Sequence, residues 1–159
     1  MNGVTARKSI DNWTASLEQL FFQIEAAAKL DGWTGIRSGT EVTEDPLGLG
    51  ASVVYQSPIL TLKKPEAKSG LEQRATFEPR HRFTVGAAGR LDVYSYPALR
   101  EATILRIADT SNSDDMTWDE AEERVAKGSW KVFSPEGLPL IVDLSNDRSV
   151  CEFLAALVG

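Results

Sequence analysis

The chain contains one cysteine, Cys151, and one histidine, His81, among 159 residues. A lone cysteine excludes an intrachain disulfide and a cysteine-rich zinc site, and a lone histidine excludes a histidine cluster. Long apolar runs are also missing. The stretch Ser57-Pro58-Ile59-Leu60-Thr61-Leu62-Lys63 is interrupted by proline and closed by lysine, well short of the roughly 20 residues a membrane helix requires. Met1 to Asn12 carry no apolar segment after Arg7-Lys8, so no secretory leader is expected and the cytoplasm is the expected compartment. Basic residues are in deficit, 17 against 23 acidic ones for a net charge of −6, which argues against non-specific nucleic-acid binding.

What is present is the composition of a globular protein, 42% hydrophobic and 25% charged. The length suits one domain over residues 1–159, with residues 1–8 expected as a disordered tail. Trp13, Leu17, Leu20, Phe21, Ile24 and Ala28 recur at spacings of three and four and predict an amphipathic helix ending at Asp31-Gly32, with Asp11 or Asn12 as its N-cap. Residues 33–50 are punctuated by Gly35, Gly39, Pro46, Gly48 and Gly50 and read mostly as loop, with a short strand near Glu41–Thr43.

A series of strands follows. Ala51–Gln56 and Ile59–Lys64 are separated by Ser57-Pro58, read as a bend or bulge. Leu71–Glu78 alternates, with Ala75 and Phe77 on one face and Glu72, Arg74, Thr76 and Glu78 on the other. Arg80–Gly86 and Arg90–Tyr96 flank Ala87-Ala88-Gly89, predicting a three-residue hairpin that sets Phe83 opposite Val93 and Val85 opposite Leu91. Ala102–Ala108 reads as a further strand. Thr117 and Glu120 form a capping box for a short acidic helix at about Trp118–Lys127, stopped by Gly128. A last hairpin is expected from Trp130–Phe133 and Leu138–Leu144, then a helix over Asp147–Val158 capped by Ser145 or Asn146. Strands in series with short turns pair antiparallel. The expected class is therefore α+β: an antiparallel meander packed by an N-terminal, a short acidic and a C-terminal helix.

Chemistry is sparse. His81 has no nucleophile motif near it, and Cys151 adjoins the apolar face of the last helix, where a cysteine behaves as a small hydrophobe. Gly86-Ala87-Ala88-Gly89-Arg90 lacks the spacing of a phosphate loop and joins two strands, so no cofactor is expected. Glu78, Asp92 and Glu101 sit on or beside successive strands, and three carboxylates on one sheet face suit a divalent cation and phosphodiester hydrolysis. A helix followed by such strands resembles in outline the PD-(D/E)xK nucleases, but Glu101-Ala102-Thr103 has Thr where that pattern has Lys. The competing expectation is that Glu78 and Asp92 pair with Arg80, Arg82 or Arg90. The acidic run Asp114, Asp115, Asp119, Glu120, Glu122 and Glu123 suits the positive end of the short helix, and also an outward face for a basic or amphipathic protein partner. Trp33, in the glycine-rich stretch, is expected to line a groove or interface. Together these residues favour a non-catalytic partner-binding module of adaptor, immunity or chaperone type, with Trp33, Asp119, Glu122 and Glu123 as contacts; the alternative is a metal-dependent hydrolase built on Glu78, Asp92 and Glu101.

Overall fold

In a computed structural model, which describes residues 2–46, 48–66, 68–83, 88–107, 118–126, 128–133, 139–140 and 143–159, the first apolar stripe forms helix α1, Gly3–Lys29. Residues 3–8, expected as a tail, are its opening turns, and Asn2 is the N-cap, its side chain accepting from the Thr5 N–H. Ala6, Ile10, Trp13, Leu17, Leu20, Phe21 and Ile24 are buried along one side, while Phe22 is exposed.

Seven antiparallel strands follow in chain order: β1 (Thr34–Glu44), β2 (Val53–Pro65), β3 (Glu72–His81), β4 (Arg90–Tyr96), β5 (Glu101–Ile107), β6 (Ser129–Phe133) and β7 (Pro139–Leu140). Helix α2 (Trp118–Ala126) lies between β5 and β6, and α3 (Asp147–Val158) follows β7. Asn146 caps α3, accepting from the Ser149 N–H. The architecture is α+β. One continuous core joins α1 and α3 to the inward residues of the sheet, among them Leu60, Leu62, Ala75, Phe77, Leu91, Val93, Ile104 and Val132. Among the described residues, no helix packs on the opposite, outer face.

Three further sequence expectations change. The presumed loop at 33–50 contains the eleven-residue strand β1, whose Arg37 and Gly35 lie against Glu18 and Glu25 of α1. Glycines that read as punctuation permit close approach here: a Cβ at Gly35 would meet the Glu25 side chain. Second, Ser57-Pro58 does not divide two strands. Pairing runs unbroken from Thr34↔Lys63 to Glu44↔Val53, yet burial changes phase there, from Tyr55 and Ser57 to Leu60 and Leu62.

Third, β3 runs through Pro79 with a bulge before His81, and Phe77↔Val93 and Pro79↔Leu91 replace the expected Phe83 and Val85 partners. Apolar matching alone did not distinguish the two registers. The structure shows what ends the strand: the N–H groups of Arg82 and Phe83 donate to the Glu44 carboxylate instead of a neighbouring strand. Val85 and the rest of 84–87 lie outside the described residues, as do Thr117, Lys127 and the turn at 134–138. Gly89 lies against the Trp13 ring with φ 154°, and Ala87 of the expected three-residue turn lies outside the described residues.

Candidate functional site

The outer face brings two of the three proposed metal carboxylates together. Glu78 and Asp92 are direct cross-strand partners, and Glu101 stands one position along, opposite Tyr94. Arginine, not a cation site, organises them. Arg80 Nε donates to Asp92 Oδ2 at 3.1 Å and its Nη1 to Glu78 Oε1 at 3.3 Å. Arg90 Nε donates to Asp92 Oδ1 at 2.9 Å, and the Thr103 hydroxyl donates to the same oxygen at 3.4 Å. Asp92 thus accepts from three donors, and of the three arginines expected to pair with these carboxylates Arg80 and Arg90 do so, while Arg82 turns to Glu122. Among the described residues, no three His, Cys, Asp or Glu side chains are placed to share a metal ion.

The same face carries aromatic rings that back its arginines. Arg74 lies over the Tyr96 ring at 4.8 Å and Arg80 over the Tyr94 ring at 5.5 Å. Arg80 also donates through Nη2 to the Tyr94 hydroxyl. Alternation places Lys63, Arg74, Arg80, Arg90 and Lys131 outward, against Glu72, Glu78, Asp92 and Glu101. Among these described side chains basic residues outnumber acidic ones by five to four, in a chain whose net charge is −6.

The residues expected to contact a partner are differently placed. Trp33 is 4% exposed, packed in the core ahead of β1 beneath the Lys64 ammonium, 5.7 Å from its ring. A tryptophan in a glycine-rich segment read as exposed because the start of β1 was not legible behind it. Glu123 is exposed on α2, and the side chain of Asp119 lies outside the described residues. Glu122, in contrast, points inward and is 4% exposed. Its Oε1 accepts from Arg82 Nη2 at 2.5 Å and from the Ser9 hydroxyl, and its Oε2 accepts from Asn12 Nδ2 at 3.2 Å. A buried charge needs this degree of pairing.

Arg82 connects Glu122 to a second buried acid. Glu44, 6% exposed, receives the Tyr55 hydroxyl at 2.5 Å and the main-chain N–H groups of Arg82 and Phe83, each at 2.9 Å. His81 Nδ1 lies 3.6 Å from Glu44 Oε1. Burial, with the Glu44 hydrogen bond and charge added to it, pushes the Tyr55 phenol well above the ordinary tyrosine range. Nothing local in the sequence marks this network: Glu44, Arg82 and Glu122 are distant along the chain, and each has the look of a surface charge.

Arg106, buried behind Trp130, donates through Nε to the Val125 carbonyl at 3.1 Å and lies 5.0 Å from the Trp130 ring centre. Burial lowers its pKa. A cleft of about 310 Å³ opens over this region, with Lys8, Asn12, Gln19, Arg106, Glu122 and Glu123 among its walls. Comparison of the chain with protein-family models, curated proteins and solved structures finds no match.

Proposed function

We propose that this protein is a non-catalytic binding module that docks an amphipathic protein partner on the outer face of its sheet, the partner presenting carboxylates beside apolar side chains. The observation that carries the reading is the pair of ring-backed arginines, Arg74 on Tyr96 and Arg80 on Tyr94, standing on a sheet face that no described helix covers. Arginine and tyrosine dominate the energetics of protein interfaces, and a guanidinium already held by a ring loses little freedom on binding. Exposed Ile36 and half-buried Ile59, Leu105 and Phe133 supply apolar surface on the same face. The basic excess of the face selects acidic over basic partners. The metal-dependent hydrolase reading loses support because Asp92 is occupied by Arg80, Arg90 and Thr103. A reducing compartment such as the cytoplasm suits a chain with one unpaired thiol.

A photo-crosslinking residue at Thr76, beside Tyr94 on the outer face, tests this against the same residue at Ala26, exposed on α1. The expected result is one acidic protein captured from Thr76 only, with yield falling in high salt and in R74A and R80A. Equal capture from Ala26, or capture indifferent to salt and to both arginines, would overturn the reading.

A further inference from the structure

Helix α2 is nine residues long, and a helix of that length is marginal on its own in water. Its described buried side chains are Glu122 and Val125. One valine supplies only about 1.5–3 kcal/mol of burial. Beside the Arg106 Nε bond to the Val125 carbonyl, the buried polar anchor among the described side chains of α2 is the Glu122 carboxylate, set on a ring of donors formed by Ser9, Asn12 and Arg82. Those donors belong to α1 and to the end of β3, and Arg82 is itself fixed by Glu44 through its main chain. A short helix that sets a buried glutamate on donors supplied by other elements has the geometry of a peptide in its receptor site.

The donor set is not saturated. Arg82 is 7% exposed, and its Nε is buried with no hydrogen-bond partner among the described residues. A guanidinium grips a carboxylate best through two parallel bonds, whereas Glu122 uses Nη2 alone. An external carboxylate placed for the fork gains a hydrogen bond that Glu122 forgoes, and it relieves an unpaired buried donor.

We propose that Ser9, Asn12 and Arg82 form a carboxylate-binding niche, that Glu122 occupies it as a tethered internal ligand, and that a glutamate on an acidic helical segment of a partner protein displaces α2 from it. The niche is on the helix side of the sheet and is independent of the outer face. Tethering gives α2 an effective concentration in the millimolar range, so the internal ligand suppresses binding of external ones until it is removed or outcompeted.

The probe is a fluorescently labelled peptide of residues 114–128 of this chain, titrated into the full-length protein. E122A is expected to bind the peptide at least tenfold more tightly than wild type does. Adding R82M, or replacing the glutamate of the peptide by glutamine, should abolish the gain, and acetate should compete. If circular dichroism shows that E122A does not fold, E122Q, which keeps the side-chain shape, carries the same comparison. Equal affinity for wild type and variant, no binding to either, or binding indifferent to Arg82 and to the peptide glutamate would each overturn the proposal.

Discussion

The Tyr55 hydroxyl donates to Glu44 at 2.5 Å, and the carboxylate it meets also holds the two main-chain N–H groups that leave β3. One side chain at the end of β1 thereby ends the pairing of another strand. E44A strands three buried donors, each worth about 1–3 kcal/mol when left unmade, so a loss of about 3 kcal/mol or more is expected in urea unfolding. Y55F removes one donor and keeps the packing, and its loss should stay near 1 kcal/mol.

The same contact predicts an alkaline weakness. The folded-state pKa of Tyr55 is raised, so its contribution is complete below the unfolded value and is lost as pH rises. Above about pH 10 the unfolded chain releases the phenolic proton while the folded chain retains it, and stability falls by about 1.4 kcal/mol per pH unit. Y55F should remove that slope. In a phenolate absorbance titration of the three tyrosines, one should ionise only as the protein unfolds.

Gly89 is predicted to tolerate no side chain. Its φ of 154° is strained for any L-residue, and a Cβ would enter the Trp13 ring. G89A should cost about 2 kcal/mol or more by thermal unfolding. W13L in the same chain should return the overlap part of that loss and leave the backbone part, so the double variant will be more stable than the two single losses sum to.

Cys151 is predicted to be a slow thiol. Burial raises its pKa, and Asp31 and Asp147 raise it further against the opposing pull of Lys64. At about pH 8 its thiolate fraction is below that of a free cysteine, and alkylation should be correspondingly slower. Urea should restore the ordinary rate, and D31N should speed the reaction in the folded protein.

The last helix, and α1 from Trp13 onward, were legible because a 3.6-residue apolar stripe repeats over several turns, as in Leu17, Leu20, Phe21 and Ile24, or Val150, Phe153, Leu154 and Leu157. The meander and the start of α2 at Trp118 followed from short turns and a capping pattern. Strand β1 was legible only near Glu41–Thr43, because it is an edge strand, exposed at most of its first eight positions and lacking an apolar alternation. The β3–β4 register failed for a different reason: the deciding contact is Glu44 to the Arg82 and Phe83 amides, long-range and polar. Hydrophobic periodicity carries no record of such pairings. The outer-face carboxylates were placed well because alternation alone puts Glu78 and Asp92 on one side. Glu122 was misplaced because a glutamate in an acidic helix gives no sign that an arginine lies beneath it.

Strand order in the sheet equals strand order in the chain, while α1 packs against α3 across the core. On a translating ribosome, each new strand therefore finds its predecessor already present and can zip onto it. Helix α1 is made before the strands and waits longest, its C-terminal flank, where the Ala27 carbonyl accepts from Cys151, uncovered until α3 emerges. Nascent chains paused before α3 will expose that flank and will be the species that chaperones capture.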